Sequence, residues 1–254
     1  MKTYATPMLA LVPIALFPAC SSSGGGSGGS DALAFSGLNV GATWTYKNTD
    51  LNEVTGVKET TVTKEITGCE MVSYVQCDDT GEMVGEMVEY NAYVQETTGG
   101  AADAEDANTL YMVAVDEGVV RVKQDVINNG TFEQYITYSP YFVRLFDGPY
   151  DAGRQKDYPH LRCEYAAADD SVRGVTSRRY RHKVVAADEQ VEVVQGSHEG
   201  VLHMQRIDLG DNDLKDFWYV DGVGKVLEKA YDTTGTQVGE EELTDFTEGT
   251  EVCE

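Results

Sequence analysis

From Ala32 onward the sequence alternates apolar and polar side chains with a period of two residues, which is the period of a β-strand. β-branched and aromatic residues, which favour strands, dominate these runs. The runs cover residues 43–46, 57–67, 110–115, 119–127, 131–138, 191–194, 201–209, 217–220 and 223–231. No stretch has the spacing of a long amphipathic helix. The sequence therefore predicts an all-β fold.

Turn residues separate the runs. Asn129-Gly130 is a strong signal for a two-residue hairpin. Asp79-Thr80-Gly81, Glu117-Gly118, Asp221-Gly222 and Thr234-Gly235 mark other reversals, and the acidic stretch 99–108 is typical of a solvated loop. Because the connections are short, consecutive strands should pair antiparallel. We predict a single domain of roughly a dozen antiparallel strands in a curved or wrapped meander sheet, half-barrel-like, with a sandwich as the alternative.

The first residues have the composition of an export signal. Lys2 gives a positive start, residues 8–17 are apolar, and small Ala19 precedes Cys20. The apolar run is too short to span a bilayer, for which a helix needs about 20 residues, but it suits a signal peptide. We predict a signal peptide over 1–19 and a lipid on Cys20, the first residue of the mature chain. Cleavage of an ordinary secretory signal near Ala19 is the alternative.

Residues 20–31 are mostly serine and glycine, which is typical of a flexible tether. A tether that follows a lipid-bearing cysteine would link a membrane anchor to the β-rich domain, 32–254. Ser21 follows Cys20, and in the lipoprotein sorting that this segment resembles, serine at that place implies export to the outer membrane. The expected partner is thus a membrane, contacted through the lipid, with any protein or small-molecule partner left open.

The charge excludes nucleic acid as a partner. The chain carries 43 acidic and 19 basic side chains, a net charge of −24. A surface this acidic repels polyanions.

Several motifs, in order, resemble a family of uncharacterised bacterial extracytoplasmic proteins, many of them lipoproteins. Near the start, 41–46 is similar to the family's G-x-x-W-x-Y, with Trp44 and Tyr46. Near the end, 217–226 is similar to W-[FY]-x-x-G-V-G-x-V, with Trp218, Gly222 and Gly224. The resemblance also covers 119–121, 139–140, 144–145 and 191–198. It implies a β-rich envelope domain and no particular activity.

These motif residues have the character of fold elements. Trp218 and Tyr219 should lie on opposite faces of one strand, and Gly224 should let another backbone or ring approach closely. A ligand lying over Gly224 and Trp218 is the alternative.

Four cysteines besides Cys20 predict two disulfides in an exported protein. Proximity in sequence favours Cys69–Cys77 and Cys163–Cys253. One objection concerns the first pair: in a single straight strand, eight steps of about 3.3 Å would hold the two cysteines far beyond bridging distance.

Catalytic and metal motifs are weak throughout. His160, His182, His198 and His203 lack the spacing of a zinc site, and we predict no catalytic residue, cofactor or tightly bound metal. The best cation candidate is Asp208, Asp211 and Asp213, a weak Ca²⁺ site that lacks the turn glycine of an EF-hand loop. A polar hairpin loop is the alternative.

A basic run stands out against the acidic background, and three of its members should share one strand face: Arg179, Arg181 and Lys183, accompanied by Arg173 and Arg178. An exposed face that pairs with acids and a site for an anionic ligand both fit this run.

The leading functional hypothesis is an envelope lipoprotein without enzymatic activity, which binds a ligand or partner or supports the cell surface. A carrier of hydrophobic cargo in a half-barrel and a secreted hydrolase with an unrecognised site are the alternatives.

Overall fold

The computed structural model describes residues 30–51, 56–99, 107–128 and 130–253. The predicted signal peptide, Cys20 and most of the predicted tether therefore lie outside the described residues. One short helix precedes twelve strands: α1 (Ser30–Ser36), β1 (Thr43–Asp50), β2 (Lys58–Cys77), β3 (Met83–Gly99), β4 (Ala107–Val115), β5 (Gly118–Asn128), β6 (Thr131–Phe146), β7 (Gln155–Ala166), β8 (Val172–Val193), β9 (Gly196–Asp208), β10 (Leu214–Val220), β11 (Gly224–Tyr231) and β12 (Gln237–Thr247).

The strands form one closed antiparallel barrel in which each strand pairs with its neighbours in sequence. The barrel closes where β1 also pairs with β12, with Trp44 opposite Phe246. The predicted all-β meander of about a dozen strands is confirmed, and the sheet closes fully rather than stopping at a half-barrel. Within the described residues, no helix has the length and apolar character needed to cross a membrane.

Several strands were not predicted from the sequence. Strands β3, β7, β12 and the parts of β8 outside 179–183 and 191–193 have no clear apolar alternation, and long parts of β3 and β8 are exposed to solvent. Strand β2 also runs ten residues beyond the predicted 57–67. Alternation marks a strand only where one face is buried, so strands with polar surroundings are missed.

Helix α1 packs against one end of the barrel, called here the α1 end. The Gly222 amide donates to the Ala34 carbonyl at 3.0 Å, and Ala32 is fully buried. At Gly224, which has a φ of +95°, a Cβ atom would lie 2.6 Å from the Ser36 carbonyl oxygen. Only glycine therefore allows the β10–β11 turn to meet the helix so closely. The opposite end, called the far end, carries the turns 209–213 and 232–236.

The β2–β3 hairpin extends past its barrel neighbours and folds over β6 and β7. The Tyr74 hydroxyl donates to the Pro140 carbonyl at 2.5 Å, and the Tyr165 hydroxyl donates to the Gly81 carbonyl at 3.0 Å. This hairpin covers Cys163 and Tyr165, which alternate along β7 with residues of the opposite face. It thus buries the carboxyl-terminal part of the outer face of β7, while the other face is turned into the barrel.

The disulfides join Cys69 to Cys253 and Cys77 to Cys163. The pairing expected from proximity in sequence is therefore wrong. Its cause is the continuous strand β2, which carries Cys69 and Cys77 along one extended segment. One bridge fastens the carboxyl-terminal segment to β2, and the other fastens the tip of the β2–β3 hairpin to β7.

Candidate anion-binding site

The inward faces of β5, β6 and β9 bring three arginines into the barrel. Arg121, Arg144 and Arg206 are distant in sequence but line one cavity of about 280 Å³. That size is near the lower end of small-molecule sites. The remaining lining side chains come from the same three strands and from β7 and β8: Gln124, Tyr138, Phe142, His160, Arg162, Arg178 and Tyr180. This cavity is called the arginine pocket below.

The Phe142 ring organises the three guanidinium groups. The guanidinium carbons of Arg121, Arg206 and Arg144 lie 4.8, 5.2 and 5.8 Å from its centroid. Arg121 also stacks on Tyr138 at 4.7 Å, and Arg206 stacks on Tyr180 at 5.2 Å. Such cation–π contacts hold the guanidinium planes against the rings, so that their N–H edges remain available to a ligand.

These three arginines have no carboxylate partner among the described residues. The ion pairs of the barrel involve other cations, and no described Asp or Glu lines the arginine pocket. In a chain of net charge −24, three neighbouring, half-buried cations that form no ion pair are unusual, because charges removed from water are normally paired. The Glu228 carboxylate acts on Arg206 only through space. The pocket therefore holds an excess of positive charge inside an acidic protein.

The pKa values of the pocket residues reflect both burial and the repulsion between the arginines. Burial, with smaller contributions from the nearby charges of Arg121 and Arg206, lowers the pKa of His160 to about 4. Burial, with smaller contributions from Arg144 and Arg206, also lowers the pKa of Arg121 to about 10. The pKa of Arg206 is lowered by burial and by Arg144. A bound anion would reverse the electrostatic part of each shift.

The rim of the pocket at the far end is, by contrast, neutralised. Arg178 pairs with Asp208 at 3.0 Å and with Asp211, and Arg162 pairs with Glu164. The predicted weak Ca²⁺ candidate thus places an arginine beside two of its carboxylates, and Asp208 additionally accepts the Gly210 amide at 2.8 Å. Across the described parts of the chain, no group of three or more His, Cys, Asp or Glu side chains is arranged to hold a metal.

A second cavity, of about 230 Å³, lies at the α1 end and shares Arg144 with the arginine pocket. Its apolar wall includes Trp44, Leu110 and Met112. Its polar wall is a set of ion pairs, called the lysine–glutamate cluster. In it Lys225 pairs with Glu241 at 2.7 Å and with Glu228, and Lys64 pairs with Glu241.

The charges of the lysine–glutamate cluster balance each other. Burial would raise the pKa of Glu241, but the attraction of Lys225 and Lys64 outweighs it and lowers the pKa to about 2. Burial and the nearby Lys225 lower the pKa of Lys64 to about 8. Both glutamates of the cluster, Glu228 and Glu241, are therefore held as carboxylates. A general acid, in contrast, needs a raised pKa.

The basic run predicted on β8 divides between the two faces of that strand. Arg179 and Arg181 both bind Asp157, at 2.9 and 2.7 Å, on the face turned away from the pocket. Arg178 lines the pocket, and Arg173 donates to Gln134 at 3.4 Å. Only one member of the run therefore reaches the candidate site.

Trp218 and Tyr219 lie on opposite faces of β10. Trp218 stacks on His203 with ring centroids 4.3 Å apart, and its Nε1 donates to Glu189 at 3.0 Å. Tyr219 lines the cavity at the α1 end, as do Trp44 and Tyr46. The Trp44 Nε1 donates to the Val223 carbonyl at 2.5 Å, and the Tyr46 hydroxyl donates to the Lys225 carbonyl at 2.8 Å. The motif residues thus join β1 to the β10–β11 turn.

The three central arginines were missed as site residues because each stands alone in its run. Val120 and Val122 flank Arg121, and Val143 and Leu145 flank Arg144, all of them buried. A single arginine between buried aliphatic residues was the available signal, since an arginine in a core strand requires a reason.

Comparisons with known proteins found neither a matching family model nor a matching curated protein. Among solved structures, a "putative exported protein with YmcC-like fold" from Bacteroides fragilis is similar at 11% identity and a TM-score of 0.47, covering 82% of this chain and 96% of the other. A "putative lipoprotein" from Parabacteroides distasonis is similar at 12% identity and a TM-score of 0.37, covering 84% and 98%.

Proposed function

We propose that the protein is a bacterial envelope lipoprotein without enzymatic activity, anchored to the outer membrane through Cys20, whose barrel binds a small anionic molecule. The signal-like segment 1–19, the Ala19-Cys20 junction and the serine- and glycine-rich tether support the anchor. The single observation that carries the binding role is the arginine pocket, where Arg121, Arg144 and Arg206 share one cavity without a described carboxylate partner.

The lumen favours an anion over hydrocarbon cargo. Its cavity at the far end is walled by guanidinium groups, and its cavity at the α1 end is walled on one side by the lysine–glutamate cluster. Burying a purely apolar ligand here would strip water from these charges without replacing it, which is costly. An anion instead gains charge-assisted hydrogen bonds from groups that are already in place.

The test is the melting temperature of the purified protein with and without a multivalent anion such as pyrophosphate, at constant ionic strength set with chloride. A ligand that binds only the folded state raises its stability, so we expect a clear rise for the unaltered protein. Arg206→Met removes one pocket charge and should abolish most of the rise. Arg179→Met, an equal charge change on the outer face of β8, should leave it intact.

Equal responses of the two variants would assign the effect to general charge screening and contradict a lumenal site.

A further inference from the structure

The unused hydrogen-bond donors of the arginine pocket indicate more than a generic anion. Arg121 donates from Nη1 to Gln124 at 3.0 Å, whereas its buried Nε has no partner. Neither Arg144 nor Arg206 donates a hydrogen bond to any described residue, and their contacts there are with aromatic rings. Three guanidinium groups, each with up to five N–H donors, therefore offer most of those donors to the same cavity and not to other described residues.

His160 adds a further unsatisfied group. Its side chain is 5% exposed, and its Nδ1 has no hydrogen-bond partner in the described structure. The ring is fixed between Tyr180, at 5.5 Å, and Phe142, at 5.3 Å. One ring nitrogen of each of the four histidines is buried without a described hydrogen-bond partner, and that of His160 belongs to a side chain that lines the cavity.

Charge and donor number together narrow the ligand class. A monocarboxylate brings one negative charge and two acceptor oxygens, which would leave two of the three arginines uncompensated. A phosphoryl group brings up to two charges and three acceptor oxygens, and guanidinium forks bind its oxygens in pairs.

Resting on the anion-binding function proposed above, we infer that the arginine pocket binds the phosphoryl group of a phosphate ester, with Arg121, Arg144 and Arg206 as its ligands and Phe142 as the residue that positions them.

The position of the pocket in the barrel favours a water-soluble ester. Arg162 and Arg178 mark its far-end rim, where Arg178 meets the turn that follows β9. Helix α1, to which the amino-terminal tether leads, covers the other end of the barrel. An anchor at Cys20 would therefore hold the pocket's rim on the side away from the tether. A phospholipid headgroup offers the same phosphoryl chemistry from the membrane, and the experiment separates the two sources.

The experiment compares phenyl phosphate with benzoate, which present a phosphoryl group and a carboxylate on the same ring, by isothermal titration calorimetry with the purified full chain. At about pH 7.5 phenyl phosphate is mainly a dianion, because the second pKa of such esters is about 6. We expect it to bind at least about tenfold tighter than benzoate, and Arg206→Met to weaken it about tenfold or more. Arg179→Met should bind like the unaltered protein.

Equal binding of benzoate and phenyl phosphate would overturn the phosphoryl assignment and leave the anion site standing. Binding of neither would overturn both. Vesicles of phosphatidylcholine with and without phosphatidic acid decide the source: binding to phosphatidic acid that depends on Arg206 would overturn the soluble ester and place the phosphoryl group on a lipid. Absence of that binding, together with phenyl phosphate binding, supports the soluble ester.

Two further variants separate positioning from charge. Arg206→Lys keeps the charge but loses the planar fork, and Phe142→Leu keeps all three arginines but removes the ring that orders them. In both variants we expect the preference for phenyl phosphate over benzoate to shrink. Phe142→Tyr, which keeps a ring at this position, should retain the preference of the unaltered protein. An unchanged preference in Phe142→Leu would contradict the positioning role, because a purely structural ring would alter stability without altering selectivity.

Discussion

At the scale of single residues, His160 links the charge of the arginine pocket to the stability of the fold. Burial and the nearby Arg121 and Arg206 lower its pKa from 6.5 to about 4. Between these values the unfolded chain takes up a proton that the folded chain does not, so the stability contributed by neutral His160 is present above pH 6.5 and is lost as pH falls toward 4.

Replacement of His160 by glutamine should remove this dependence. Relative to the variant, the unaltered protein should lose about 2–3 kcal/mol of unfolding free energy as the pH falls through that window. Urea unfolding at several pH values measures the difference. His198, whose pKa burial lowers, and His203, whose pKa is raised, despite its burial, by its hydrogen bond to Glu189 and by the Asp216 carboxylate 3.6 Å away, remain in both proteins and cancel. The pKa of His182 is lowered mainly by burial and only to a small extent by His160, so its contribution changes little. Parallel pH curves for the two proteins would contradict the assignment.

Substitution of Trp218 tests whether the carboxyl-terminal motif stabilises the fold. The tryptophan is 9% exposed, stacks on His203 and donates to Glu189. Trp218→Ala should cost about 3–5 kcal/mol of stability, as truncation of a buried tryptophan does, without changing anion binding. Trp218→Phe, which keeps a ring against His203, should cost less. An alanine variant with an unchanged melting temperature would tell against a core role for this side chain.

At the scale of elements, the disulfide between Cys77 and Cys163 holds the β2–β3 hairpin on β7. Replacing both cysteines by serine should lower stability by about 2–4 kcal/mol and expose the hairpin tip to limited proteolysis. The matched double variant of Cys69 and Cys253 should instead loosen the carboxyl-terminal segment. Peptide mapping of the unreduced protein identifies the bridges directly. A peptide that joins Cys69 to Cys77 would contradict the disulfide pairing described here.

The strands differ in how well the sequence predicts them, and the reason is burial. The run 217–220 is apolar throughout because Phe217, Trp218 and Tyr219 are all buried, on both faces of β10, and this density of aromatic and β-branched residues marks the strand. Strand β3 begins with seven exposed residues and has no such signal. Closure of the barrel depends on the pairing of β1 with β12 across nearly the whole chain, which no local pattern encodes. The arginine pocket is hidden for a similar reason: pairing of β5 with β6 places Arg121 near Arg144, but only the curvature of the whole sheet brings Arg206, on β9, to join them.

At the scale of the whole molecule, the lipid anchor and the anion-binding barrel are two independent predictions. If Cys20 bears a lipid, mass spectrometry of the mature protein should find its amino terminus at Cys20 with acyl chains attached. Cys20→Ser should shift the protein from the membrane fraction to the soluble fraction. An unmodified Cys20, or a mature chain that starts elsewhere, would contradict the anchor and leave the barrel's binding role unaffected.

The barrel as a whole carries an acidic exterior and an excess of positive charge inside. Such an arrangement lowers the stability of the empty protein, because cations that are partly removed from water and form no ion pair are costly. Under the proposed function, a bound anion would supply the missing charge. Sites that bind or react commonly give up stability in this way. Replacing one pocket arginine by an uncharged residue should therefore maintain or raise the stability of the empty protein and remove the stabilisation by a bound anion.

The most direct measurement is urea unfolding of the unaltered protein and of Arg206→Met, each in chloride and in pyrophosphate at equal ionic strength. The methionine keeps an unbranched side chain against Phe142, Tyr180 and Phe217, rings that Arg206 now covers. We expect the empty variant to be at least as stable as the empty unaltered protein, and only the unaltered protein to be stabilised by pyrophosphate. A variant that is less stable when empty, yet responds to pyrophosphate as the unaltered protein does, would show that Arg206 serves the fold and not an anion.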